Sequence, residues 1–466
     1  MILFFGDSSV QVFAVKCNQP LTHPQKEKLS WLFGNQPPLD DNTVNGSFYG
    51  PRATMVTPWS TNAVEITQNM GLGVIERIEV YEEKSRVQNP DPMLVTSYDI
   101  LDQELFEVNL LPEAIQQIND IATYNKEEGL ALSDEEVSYL EELSGYLKRS
   151  LTDSEVFGFS QVNSEHCRHK IFNGQFIIDG EEKEESLFKL IKKTSKLNPN
   201  TIVSAYKDNV AFIEGPEIEQ FAPQKGDVPS SYKKETVNSV ISLKAETHNF
   251  PTTVEPFNGA ATGSGGEIRD RLAGGQGSIP LAGTAVYMTP YSRVQESRHK
   301  NPFQERKWLY QTPIDILIKA SNGASDFGNK FGQPLIVGSL LTFEHNENNK
   351  MLGFDKVIML AGGIGYAKRE HAQKRTPQNG DKIIILGGDN YRIGMGGAAV
   401  SSSDTGVFGS AIELNAVQRS NPEMQKRVAN AIRALVEAPT NPIVSIHDHG
   451  AGGHLNCLSE LVEDTG

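Results

Sequence analysis

Lysine, glutamate and histidine occupy every second position of Lys244-Ala245-Glu246-Thr247-His248. In an extended chain, residues two apart share a face, so a cation, a carboxylate and an imidazole stand in one row. Further on, Gly259-Ala260-Ala261-Thr262-Gly263-Ser264-Gly265-Gly266-Glu267-Ile268 leads into Arg269 and Asp270. Eight glycines lie between Gly259 and Gly283. Glycine lets backbone N–H groups approach a ligand closely, and successive N–H groups can form an anion-binding nest. The pattern predicts a glycine-rich loop, with Arg269 suited to phosphate and Asp270 to Mg²⁺. It is not a P-loop, because no Gly-Lys-Ser/Thr follows at the required spacing. It is not a dinucleotide fingerprint either, because Ile268 stands where that pattern needs glycine. Together these parts suit a metal–nucleotide held beside an anionic substrate. The plainer alternative is a half-buried strand with a polar outer face, followed by an ordinary flexible loop.

Other chemistry-bearing groups are scattered. His166 and His169 flank Cys167 and would share a helical face, but no second ligand pair has the spacing of a zinc site. Asp448, in His447-Asp448-His449-Gly450, is a hard oxygen ligand or else a helix N-cap. Glu246, Asp270 and Asp448 come from three segments, and such carboxylates suit Mg²⁺. A second glycine-rich turn, Asp389–Gly397, fits either phosphate or a tight strand–helix connection.

The elements that must position these groups follow from periodicity. Ile241, Leu243 and Ala245 alternate with Ser242, Lys244 and Glu246, which predicts a strand that Pro251 ends. Ser133–Glu136 and Thr152–Glu155 are capping boxes, the first followed by Val137, Leu140, Leu143 and Leu147 on one helical face. Near the N-terminus, strands are expected at Val10–Val15 and Ile78–Tyr81. Helices are expected at Pro24–Phe33, before Gly34, and Ser60–Met70, before Gly71. Residues 183–200 read as a lysine-rich polar stretch and 368–380 as a polar linker. Strands are expected at Lys382–Leu386 and Ile443–Ile446, with a helix at Asn421–Val436. The resulting fold class is α/β (α+β), with a small N-terminal α/β domain over 1–132 and a helical linker over 133–200. A two-domain unit over 201–368 and 379–466 follows.

The chain has 466 residues, with 43 basic against 59 acidic side chains and a formal charge of −16. Without a basic block it is a poor candidate for nucleic acid, so an anionic substrate must be caught by local cations. Three scattered cysteines, no membrane-length apolar run and no signal peptide make the cytoplasm the default.

The run Lys244–Asp270 resembles phosphoribosylformylglycinamidine synthase of the large, single-chain type. Asn163–Lys170, Ser204–Gly215, Asp326–Pro334 and His447–Gly453 extend the likeness from about residue 133 onwards. The resemblance implies an aminoimidazole-ribonucleotide-synthetase-like unit. Its reaction would be ATP-dependent amidation of formylglycinamide ribonucleotide with glutamine-derived ammonia, in purine biosynthesis. It implies ATP and Mg²⁺ as cofactors, His166 and His248 as catalytic residues, and Glu246, Asp270 and Asp448 as metal ligands. Lys244, Gly259–Asp270 and the stretch Ser339-Leu340-Leu341 would contact nucleotide, the last by backbone alone. Thr247, Asn249, Phe250, Arg269 and Gln418 would contact substrate. Phe250 departs from the histidine of many relatives, and His169 from the tyrosine of small-type ones. The family's large members continue with a second synthetase copy and a glutaminase domain, so the chain reads as an N-terminal piece. It would lack its own ammonia source and be prone to homodimerise. The competing readings are another synthetase of the same superfamily, such as an aminoimidazole ribonucleotide or selenophosphate synthetase, and a non-catalytic scaffold.

Overall fold

The computed structural model describes residues 1–39, 42–53, 56–88, 90, 95–108, 114–164, 168–293, 311–387, 417, 421–450, 452–463 and 465. The chain divides into two compact units, Met1–Glu113 and Ala114–Gly466.

In the first unit, strand Gln11–Cys17 alternates between two cores. Val12 and Ala14 pack with Phe4, Phe48 and Tyr81; Phe13 and Val15 pack with Phe5, Leu29 and Ile78. Period two therefore buries both faces of an antiparallel six-stranded sheet. Its order is Pro38–Leu39, Ile2–Asp7, Gln11–Cys17, Ile75–Glu83, Val44–Pro51, Val95–Leu101. Helices His23–Leu32 and Pro58–Asn69 are followed by Gly34 and Gly71 in the left-handed region, at φ of 74° and 80°. Both stops sit where the sequence places them.

The second unit opens with two capped helices. Ser133 and Glu136 bond reciprocally at the start of Asp134–Leu147, and Thr152 and Glu155 do so before Asp153–Val162. Leu140 is buried, with Val137 and Leu143 beside it. Leu147 breaks the expected face: it is the last helical residue, 41% exposed, before Lys148 turns left-handed. The lysine-rich stretch contains a helix, Leu187–Leu197.

The central sheet runs Ile202–Ser204, Ala211–Pro223, Tyr232–Thr247, Ile358–Lys368, Ile279–Thr289, Leu335–Thr342. Its last pair is parallel, and the intervening Pro313–Phe331 helix supplies the crossover such a pair requires. The 17-residue helix Pro256–Leu272 packs on the same sheet. This corrects the expected glycine loop: Gly259–Asp270 is helical, and its interior N–H groups belong to the i→i−4 ladder.

The glycines answer to packing. A Cβ on Gly259 would meet the Pro251 carbonyl at 2.4 Å, and one on Gly263 would meet the His248 side chain at 3.1 Å. Gly265 faces Phe327, and Gly323 on the neighbouring helix faces the Phe257 carbonyl. Gly323→Ala would place its methyl carbon 2.0 Å from that backbone oxygen. It is expected to destabilise the unit by about 1–3 kcal/mol or more, read as a lower urea midpoint, because two backbones must part.

Two other expected strands are also corrected. Lys382–Leu386 pairs with no strand among the described residues, and Ile384 is 75% exposed. Ile443–Ile446 is irregular; Ile443 and Ile446 pack against Ile432 and Val436 instead. The helix near them, Pro422–Val436, starts at Asn421, whose side chain accepts from the Met424 N–H. Among the described residues, no helix is long and apolar enough to cross a membrane.

Candidate functional site

Strand Tyr232–Thr247 has the expected alternation with its faces reversed. Ser242 is fully buried, and Lys244 and Glu246 are directed towards the helical layer, whereas Ala245 is exposed. The polar face is inside because the Pro256–Leu272 helix brings Asp270 to it. Lys244 Nζ lies 2.6 Å from Asp270 Oδ2 and 3.8 Å from Glu246 Oε2. Asp448 joins from the segment before helix Gly453–Leu461, with its Oδ2 3.7 Å from Arg269 Nε. That helix is capped at Gly452, so Asp448 is not its N-cap.

The stripe Gly259, Gly263, Gly266, spaced four and three apart, lies on one side of its helix. A Cβ on Gly266 would lie 3.6 Å from the Arg269 guanidinium and 3.8 Å from Glu246 Oε2. The absence of side chains lets the reactive end of the strand lie against the helix. The strand end is also tied to its neighbour: the His248 N–H donates to Met359 O at 2.8 Å, and Asn249 Oδ1 accepts from the Met359 N–H at 3.2 Å. His248 therefore sits at the entry to the short helix Asn249–Val254, between Gly263 and the sheet.

Three carboxylates face two cations here, Lys244 and Arg269, and the imbalance sets the protonation. Burial, reinforced by Asp270, pushes Glu246 up to about 7. Burial and then Asp270 raise Asp448 well above the carboxylate range. For Asp270 burial is the largest single influence and raises it, but the Lys244 ammonium and hydrogen bonds with Asp448, Glu246 and Lys244 together hold it low. Burial would lower Lys244, but Asp270 and Glu246 together hold it charged. Hard oxygens with surplus negative charge fit a divalent cation such as Mg²⁺. Among the described residues no group of three His, Cys, Asp or Glu side chains forms a metal cage as it stands. Lys244 lies against two of these carboxylates, pairing with them directly.

Other expected positions fall elsewhere. Gly259–Ile268 is interior: Ala260, Ala261 and Ile268 are core, and Glu267 is paired with the fully buried Arg271 and accepts from Gln333 Nε2 at 2.8 Å. The run is helical and not a loop, so its interior N–H groups form no nest. Phe250 is 1% exposed, under the Lys356 ammonium, so its ring packs in the core. Thr247 is exposed at the strand end. Ser339, Leu340 and Leu341 lie on the exposed edge strand, opposite Val286, Tyr287 and Met288. Three strand spacings, roughly 14 Å, separate that strand from the one bearing Lys244. His166, Cys167, Gln418 and Asp389–Gly397 lie outside the described residues.

Residues that sequence reasoning left without a role complete the cluster. Asn209 Nδ2 donates to Asp270 Oδ1 at 3.0 Å and to Asp448 Oδ1 at 2.7 Å. Gln425 accepts from Arg269 at 3.4 Å and donates to Gly265 O at 2.9 Å. The Ser204–Gly215 motif contains Asn209, but nothing in the spacing marks its partner.

Residues 378–466, which contain Asp448, match the family model described as AIR synthase related protein, C-terminal domain. Residues 10–89 match the formylglycinamide ribonucleotide amidotransferase N-terminal model, and 121–170 its linker domain. Three separate segments of the chain are thus similar to formylglycinamide ribonucleotide amidotransferase and AIR-synthase-related proteins. Similar solved structures include Thermotoga maritima PurL complexed with FGAR, at 23% identity and TM-score 0.43, covering 70% of this chain and 41% of that one. The same protein complexed with ATP aligns at 23% identity and TM-score 0.40, over 70% of this chain and 40% of that one. AaThiL complexed with AMPPCP and TMP aligns at 11% and 0.28, over 54% and 63%. The chain thus spans about two fifths of the PurL chains it matches.

Proposed function

We propose that this chain carries the synthetase site for ATP-dependent amidation of formylglycinamide ribonucleotide to formylglycinamidine ribonucleotide, with glutamine-derived ammonia, in purine biosynthesis. The convergence of Lys244, Glu246, Arg269, Asp270 and Asp448 beside His248, in a chain with these likenesses, carries the reading. The γ-phosphoryl group of ATP passes to the substrate's amide oxygen and ADP leaves. Ammonia then adds to the carbon, the C–O bond breaks, and phosphate departs with that oxygen. Arg269 and Lys244 offset charge on phosphoryl oxygens. His248 takes the proton that the attacking nitrogen sheds, work suited to an imidazole near neutrality. Glu246, Asp270 and Asp448 would hold Mg²⁺, whose contribution is charge neutralisation at the phosphates.

On this reading a glutaminase supplies the ammonia, and the two cysteines among the described residues are unsuited to that work. Cys17 and Cys457 are buried thiols that burial pushes up to about 11 and about 12, the opposite of an activated nucleophile. The chain is expected to release no glutamate from glutamine. The outer face of the central sheet exposes Leu281, Val337, Leu341 and Ile364, each at least 40%, which favours self-association. Light scattering over a concentration series, with a glutaminase assay on the same sample, checks both: glutamate release or a strict monomer would contradict the respective half.

The synthetase reading is tested by supplying the chain with ATP, Mg²⁺, ammonia and formylglycinamide ribonucleotide. ADP formation that requires the ribonucleotide supports it. Tight ribonucleotide binding without turnover favours the scaffold reading instead. ADP formation that requires a different acceptor favours another synthetase of the superfamily.

A further inference from the structure

Asn209 follows strand Ile202–Ser204 and reaches into the carboxylate cluster from a third direction. Its two amide hydrogens serve two carboxylates at once, Asp270 on the Pro256–Leu272 helix and Asp448 ahead of helix Gly453–Leu461. An amide could equally present its oxygen to them, which two carboxylates would repel. The choice is fixed on the other side: Asn209 Oδ1 accepts from Lys374 Nζ at 3.4 Å. Lys374 is held in turn at 2.9 Å by Asp208 Oδ1, and Asp208 Oδ2 accepts the Gly275 N–H at 2.7 Å. Gly275 has φ 60° and lies in the turn just after the Pro256–Leu272 helix. A chain of four groups therefore runs from that turn back to the carboxylates on either side of it.

We propose that Asn209 is a positioning residue of the cation site: it holds Asp270 and Asp448 together, and Lys374, seated by Asp208, orients its amide. This rests on the reading that these carboxylates take a divalent cation. Two like charges drawn from separate segments repel, and neutral N–H donors between them keep their spacing without competing for the metal. Hydrogen bonds to metal-ligating carboxylates typically tune affinity by about 10–100-fold.

The test is Mn²⁺ binding to the chain, followed by electron paramagnetic resonance, with thermal melting in EDTA beside it. Asn209→Ala is expected to weaken Mn²⁺ about tenfold or more. Lys374→Met should weaken it less, and the double variant should match Asn209→Ala, because the two act in series. A purely structural role would lower the EDTA melting point and leave Mn²⁺ affinity alone, which overturns the proposal. Should Asn209→Ala fail to fold, unchanged affinity in Lys374→Met overturns it equally. Asp448→Asn separates the two levels. If it abolishes Mn²⁺ binding while Asn209→Ala does not weaken it, only the positioning role falls. If the parent chain binds no Mn²⁺, the cation site falls and this role with it.

Discussion

His248→Ala is expected to lower the ammonia-dependent turnover of the intact protein by about two to four powers of ten, the usual span for a lost acid–base group. The fold should tolerate the change. The His248 backbone N–H still reaches Met359, and Gly263 leaves space on the side facing the ring. Binding of the ribonucleotide should change little, so the loss belongs in kcat. Turnover near that of the parent, measured with saturating ammonia, would remove the proton-acceptor role.

Asp448→Asn should separate function from stability. Burial and then Asp270 disfavour charge on the Asp448 carboxylate, so a neutral amide of nearly the same shape relieves that cost in the cation-free chain. The melting point in EDTA is expected to stay level or rise, while Mg²⁺-dependent stabilisation disappears. Buried carboxylates that weaken the free fold are what a cation site requires. A variant that still gains the parent's Mg²⁺-dependent stabilisation would show that Asp448 is not a ligand.

Local signals in the sequence carry through to the fold. The capping boxes at Ser133 and Thr152, the stops at Gly34 and Gly71 and the helix after Asn421 each depend on a few neighbouring residues, and the structure has them. The pairing of Lys244 with Glu246 on one face follows from period two. Which face is inside does not, because that depends on Asp270, on a helix that the strand does not itself specify. The glycine run misled for the same reason. Glycine serves a phosphate loop and a crowded helix alike, and only Pro251, His248 and Phe327 reveal which applies. Asn209 and Lys374 were illegible because their partners lie 61 to 239 positions off in the case of Asn209, and 165 from Lys374 to Asn209. The apolar run Lys382–Leu386 reads as a strand, yet no described strand pairs with it.

The chemistry proposed for this cluster moves one oxygen atom from substrate to phosphate. Formylglycinamide ribonucleotide carrying ¹⁸O in its amide carbonyl, turned over by the intact protein with unlabelled ATP, Mg²⁺ and ammonia, should yield inorganic phosphate containing one ¹⁸O per product formed. Phosphate free of label, alongside normal product, would contradict attack of that oxygen on ATP and with it the role given to Lys244, Arg269 and the three carboxylates.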